Sequence, residues 1–252
     1  MIFSKHPTVI VPLTGTTAQV LIEEALAAQA GGADVLEWRI DFLVGAHHTQ
    51  SVAEVAREVI PAIVAETNLP LLLTVRTAEQ GGEIRLSPGR YGLVMAELLD
   101  TLMHVGVPGD RIGLDLEFWY PHTRGLAARA NELGFTVVVS HHDWVETPET
   151  ELLELMLDEM LEIPDVVAKL ATTAKSDSDV VDLLDATRRV AERSGRPLIT
   201  LAMGPEGVSS RLEGWKYGSV ATFATVGKAS APGQPTVEEL RIALEGQAAD
   251  GE

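Results

Sequence analysis

The chain has five lysines, and one of them, Lys169, interrupts an otherwise apolar run, Asp165-Val-Val-Ala-Lys-Leu-Ala-Thr-Thr173. A buried ammonium is costly unless it finds a carboxylate or gives up its proton. A neutral amine in such a place can attack a ketone and form a Schiff base. A lysine snorkelling from the end of a strand, or simply paired with a carboxylate, fits the same pattern. His142 closes a second apolar run, Val137-Val-Val-Ser-His-His-Asp-Trp144. An imidazole there can serve as base and then as acid near neutral pH. Asp143 follows it and can orient it or begin a helix. A metal at His141, His142 and Asp143 is not expected, because neighbouring strand residues point in opposite directions and no other cluster adds ligands.

Glu37 and Arg39 stand two apart in Leu36-Glu-Trp-Arg-Ile40. In a strand they share one face, and Leu36, Trp38 and Ile40 take the other. A charged inner face implies an internal ion pair or a ligand. Arg76 ends Leu71-Leu-Leu-Thr-Val-Arg and meets Gln80-Gly81-Gly82. A guanidinium at such a place suits a carboxylate. Two further segments hold small and polar residues, Gly207-Val-Ser-Ser-Arg211 and Ala229-Ser-Ala-Pro-Gly-Gln234. The second lets backbone, Ser230 and Gln234 approach a ligand, or it is an ordinary turn.

These residues need elements to hold them. Eight short apolar runs read as strands: Val9–Leu13, Asp34–Ile40, Pro70–Val75, Arg111–Glu117, Phe135–Ser140, Val166–Ala171, Pro197–Met203 and Ser219–Val226. Most are continuously apolar, as strands buried on both faces are. Amphipathic stretches lie between them. Thr16–Ala30 ends at Gly31-Gly32; Thr150–Leu161 follows a Thr-Pro start; Ser178–Ser194 carries an apolar stripe; a final helix begins near the Thr236 capping box. Neither GxGxxG nor GxxxxGK[ST] occurs, so an open nucleotide-binding sheet is disfavoured. The expected fold is α/β, a single (β/α)8 TIM barrel over residues 1–252. The acidic tail from about Gly246 is expected to fray.

Composition narrows the partners. The net charge of -18 argues against nucleic acid and anionic membranes, which need a basic face. The absence of cysteine excludes disulfides, thiolate metal sites and a cysteine nucleophile. No apolar run approaches ~18 residues, and Met1 to Pro12 lacks the apolar region of a signal peptide, so a soluble cytoplasmic protein is expected.

Taken together, Glu37-Trp-Arg-Ile-Asp41, Thr74-Val-Arg-Thr77 with Gly81-Gly-Glu83, Ser140-His-His-Asp143, Val167-Ala-Lys169, Gly207 through Arg211, and Ser219-Val-Ala-Thr-Phe223 leading to Ala229-Ser-Ala-Pro-Gly-Gln234 make the chain resemble type I 3-dehydroquinate dehydratases. The resemblance runs from about Val9 to Leu244. It implies a (β/α)8 barrel, usually a homodimer, that dehydrates 3-dehydroquinate to 3-dehydroshikimate with no metal or organic cofactor. It gives Lys169 the imine with the substrate's C3 ketone and His142 the proton transfers at C2 and the C1 hydroxyl. It gives Arg211, Ser230 and Gln234 the carboxylate and nearby hydroxyl. Glu37, Arg39 and Arg76 hold ring hydroxyls and tune charge, and Met203 and Phe223 form apolar walls. One position departs from the family pattern: Gln80 stands where the family has a glutamate. That substitution leaves open a paralogous Schiff-base barrel acting on a related keto acid, or a low-turnover or non-catalytic binder. His141 and Trp144 are smaller departures.

Overall fold

Each expected apolar run contains a strand. The computed structural model describes residues 2–3, 7–47, 50–227 and 233–249, with side chains as far as residue 244. The strands are β1 (Thr8–Leu13), β2 (Val35–Arg39), β3 (Leu71–Thr74), β4 (Ile112–Glu117), β5 (Thr136–His142), β6 (Val166–Thr173), β7 (Leu198–Met203) and β8 (Ala221–Phe223). Neighbours pair in parallel in chain order, and β1 also pairs with β8. The ring closes where Leu198 bridges Ser219 and the Val220 N–H donates to the Leu198 carbonyl at 2.8 Å. The result is a (β/α)8 barrel.

Helices follow the strands: α1 (Ala18–Ala30) after β1, α2 (Ile40–His47) and α3 (Val52–Glu66) after β2, α4 (Pro88–Leu102) after β3, and α5 (Thr123–Glu132) after β4. Then come α6 (Thr150–Leu161), α7 (Asp177–Ser194), α8 (Val208–Glu213) and α9 (Val237–Ala249). The capping box at α9 forms: Thr236 N–H donates to Glu239 at 2.8 Å, and Glu239 N–H donates to Thr236 Oγ1 at 3.1 Å. The backbone from Gly246 is helical as far as Ala249, and residues 250–252 lie outside the described residues.

Strand alternation sorts the apolar side chains into two cores. One fills the layer between strands and helices. The other fills the barrel and includes Ile10, Leu72, Val138, Val167 and Ile199, with Ile2 at its base. Ile2 is held by its N–H, which donates to Thr136 Oγ1 at 3.0 Å. Gly113 makes room for it, since a Cβ there would lie 2.6 Å from Ile2 Cδ1.

Three strand ends differ from expectation. β5 runs two residues longer because it pairs with β6 as far as His142↔Ala171, and β6 runs two longer because it pairs with β7 as far as Thr173↔Met203. β8 is shorter. Beyond Phe223 the chain leaves the ladder and Thr225 bridges Thr236 instead. His142 is therefore a strand residue.

Candidate active site

Above the apolar floor the inner face changes character. The register sets Lys169 of β6 beside Ser140 of β5, and Ser140 level with Glu117 of β4. Glu37 and Arg39 come from β2, Thr74 from β3, and Arg76 from just beyond it. Each is polar because inward positions near the strand ends face the pocket. Lys169 is 3% exposed. Its Nζ lies 3.2 Å from Asp115 Oδ2, 3.5 Å from Glu37 Oε1, and 4.4 Å from the centre of the Phe223 ring.

Arg76 knits this layer together. It donates to Asp115 at 2.8 Å, to Glu117 at 3.2 Å and to Ser140 Oγ at 2.9 Å. Ser140 in turn donates to Asp115 at 2.5 Å, and Thr74 donates to Glu37 at 3.0 Å. The buried pairs thus join two cations to three carboxylates. Burial works against the charge of Arg76, but Asp115, Glu117 and Glu37 outweigh it and raise its pKa. Burial also pushes Asp115 up, yet Arg76, Lys169 and the Ser140 hydroxyl hold it below the ordinary carboxylate value. For Glu117 burial wins over Arg76 and Thr77, and its pKa is raised.

Arg39 shares the inner face with Glu37 but pairs with Asp41, at 2.8 Å through two donors. Phe42 stacks against it, 4.9 Å from the guanidinium. The two charges read as one inner-face set therefore have separate partners.

Two side chains face the pocket with unused capacity. Burial, reinforced by Arg76, Lys169, Arg39 and His141, holds His142 well below the ordinary histidine value, so its ring is neutral. Its Nδ1 is buried and has no hydrogen-bond partner among the described residues. Arg211, on α8, is 2% exposed, and its Nε and one terminal nitrogen also have none among the described residues. Burial alone pushes it down to about 10. A buried guanidinium without a counter-ion costs free energy, which a bound carboxylate would recover.

The pocket brings together every residue expected from the sequence that falls among the described residues: Glu37, Arg39, Arg76, Gln80, His142, Lys169, Met203, Arg211, Phe223 and Gln234 all line it. Gln234 donates to the Ala224 carbonyl at 2.8 Å. Ser230 lies outside the described residues. The guanidinium of Arg76, expected to meet a ligand carboxylate, has both terminal nitrogens engaged by protein partners. Sequence reasoning missed Asp115 and Glu117. Their spacing in Gly113-Leu-Asp-Leu-Glu117 is the same two-apart signal that marked Glu37 and Arg39. Trp144, one of the smaller departures from the family pattern, lines the mouth beside Gly81.

An amine flanked by proton acceptors, a neutral imidazole and a free anion-binding group can condense with a ketone that carries a carboxylate, then move a proton beside the new C=N bond. Among the described residues no three His, Asp or Glu side chains form a metal-binding group. No helix among them is long and apolar enough to cross a membrane.

Comparison with known proteins gives a consistent picture. The family model described as Type I 3-dehydroquinase matches residues 9–249. The 3-dehydroquinate dehydratase of Salmonella paratyphi B is 37% identical over 242 residues, covering 94% of this chain and 92% of that protein. The crystal structure of 3-dehydroquinate dehydratase from Geobacillus kaustophilus superimposes with a TM-score of 0.87 at 28% identity, covering 98% of this chain and 93% of that one. The type I enzyme of Clostridium difficile, solved with covalent modified comenic acid, gives 0.83 at 30%, covering 98% and 94%.

Proposed function

The chain belongs to the type I 3-dehydroquinase family, whose reaction is the dehydration of 3-dehydroquinate, and we propose that it carries this out through an imine on Lys169 with His142 as base and acid. The observation that carries the reading is the convergence in one pocket of a buried lysine, a neutral histidine and a buried guanidinium with two nitrogens unpartnered among the described residues.

The steps follow from chemistry. Lys169 Nζ, after losing a proton, attacks the C3 ketone, and the resulting carbinolamine expels water to leave an iminium. Asp115 and Glu37 are the nearest acceptors for the amine proton. The iminium draws electrons from the adjacent C2–H bond. His142 takes that proton, and the electrons settle as an enamine. The enamine then pushes out the C1 hydroxyl, which leaves as water with the proton returned by His142. Water hydrolyses the conjugated iminium to 3-dehydroshikimate and frees Lys169. Net, one water is lost. Arg211, with Ser230 and Gln234, holds the carboxylate; Glu37, Arg39, Arg76 and Gln80 border the ring; Met203 and Phe223 form its apolar side. The same reading takes the chain as one barrel domain over residues 1–252, working in the cytoplasm as a homodimer on a small anionic substrate, without metal or organic cofactor.

Borohydride reduction in the presence of 3-dehydroquinate, followed by intact mass, tests the imine. Wild type should gain the reduced adduct and Lys169→Ala should not. No adduct in wild type, or equal adduct in the variant, would overturn the mechanism. Conjugated-enone absorbance reads dehydration. Faster turnover of a related keto acid would point to a paralogous reaction, and thermal stabilisation without product to a binder.

A further inference from the structure

The Gln80 side chain bridges two consecutive residues at the end of β5. Its Oε1 accepts the His142 backbone N–H at 2.7 Å, and its Nε2 faces His141 Nδ1 at 3.2 Å. The bridge has a structural reason. β4 pairs with β5 only as far as Glu117↔Ser140. Beyond that point no strand meets the His142 N–H, and the Gln80 amide, at the end of the turn Ala78–Gln80, takes its place.

The amide cannot turn over. A backbone N–H only donates, so Oε1 must face His142, and Nε2, which only donates, must face His141. That second contact is a hydrogen bond only while His141 Nδ1 keeps its lone pair. With a proton on Nδ1, two donors would oppose each other, and flipping the amide would merely move the conflict to His142. The His142 ring has an unpartnered Nδ1, so its backbone is the part of it that is tied down.

We propose that His141, unprotonated at Nδ1, is a positioning residue that holds the Gln80 amide and through it fixes the end of β5 and His142. The proposal rests on the reading of His142 as the base. Its surroundings favour the required state. Burial and Arg76, from the end of β3, disfavour the imidazolium; Asp143, beyond the end of β5, favours it; the net shift is downward. Trp119, after β4, meets the His141 ring edge-on at 5.8 Å. Trp144 packs the same turn from the other side: a Cβ at Gly81 would come within 2.2 Å of its Cζ2. The turn is thus held at the end of β5 by the two polar contacts of Gln80 and by packing against Trp144.

His141→Ala removes the acceptor, whereas His141→Asn keeps an acceptor near the place of Nδ1 that cannot be protonated. His141→Ala should lower kcat roughly ten-fold with KM within about two-fold, the mark of a misplaced base. His141→Asn should restore most of kcat and shift the acid limb of the pH profile. In the free protein, nitrogen-15 NMR should find His141 Nδ1 unprotonated at neutral pH, with a midpoint below the ordinary histidine value. Gln80→Glu exchanges the donor for a carboxylate and should raise that midpoint. Unchanged kcat in His141→Ala, an unchanged acid limb in His141→Asn, or an unmoved His141 midpoint in Gln80→Glu would each overturn the proposal. If His141→Ala does not fold, the other two measurements still decide. Failure of wild type to form the borohydride adduct would sink the imine mechanism and leave the His141 titration standing.

Discussion

Lys169 Nζ and Asp115 Oδ2 stand 3.2 Å apart, and the same carboxylate oxygen receives Arg76 at 2.8 Å. One buried oxygen therefore answers two cations. Removing its charge leaves both under-compensated in a site closed to solvent. Asp115→Asn should cost about 3–5 kcal/mol of stability, the usual result of breaking a buried ion pair from one side. Urea denaturation reads this directly. A loss below about 1 kcal/mol would mean that Glu37 and Glu117 carry the layer without Asp115.

Arg211 presents the opposite case. Its buried Nε and one terminal nitrogen have no partner among the described residues, so in the free protein its charge is a cost. Arg211→Met should leave stability unchanged or raise it by about 1–4 kcal/mol, as replacing buried charge with apolar volume often does. The same change should raise KM for the carboxylate substrate at least ten-fold. Thermal melts and steady-state kinetics on one preparation check both. A destabilised variant with normal KM would show that Arg211 serves the fold and not the ligand.

His142 links activity to acid stability. Its pKa in the folded protein lies well below the ordinary 6.5. The unfolded chain therefore binds more protons in the interval between, and stability falls as the pH drops from about 6.5 toward the folded value. His142→Gln should flatten that slope. It should also cut dehydration by roughly 10²–10⁴-fold while leaving the Lys169 adduct trappable. An unchanged slope would mean that folding does not lower the His142 pKa.

Gly81 has φ 84°, and a side chain there would strike Trp144. Gly81→Ala combines backbone strain with that clash, so it should undock the turn carrying Gln80. The expected cost is about 1 kcal/mol or more of stability, together with reduced kcat. Adding Trp144→Ala relieves the clash but not the strain, so rescue should be partial. Full activity in Gly81→Ala alone would rule out a fixed turn.

Much of this was legible in the sequence because each of the two residues proposed to react breaks an apolar strand. Lys169 within Val166–Ala171 and His142 after Val137–Ser140 stand out against their neighbours, and β-strand periodicity then fixes the direction in which they point. Asp115 and Glu117 were equally visible in spacing, yet their run was read for its length alone. Other features were beyond a linear reading. That Arg39 would choose Asp41, or that Arg76 would be taken up by three β4 and β5 side chains, depends on which strands lie side by side in the closed ring. The Gln80 bridge depends on β4 stopping at Glu117 while β5 continues. Such an offset is set by packing and leaves no mark in local composition.

The apolar plug beneath Lys169 turns chemistry into traffic. With Ile2, Val138, Val167 and Ile199 filling the barrel below, the amine opens upward, past His142 and Arg211. The proposed cycle would release a water when the imine forms, another when the hydroxyl departs, and admit one to free the product. All three share the substrate's doorway. On that reading, product held by Arg211 stands in the route of the water that must release it.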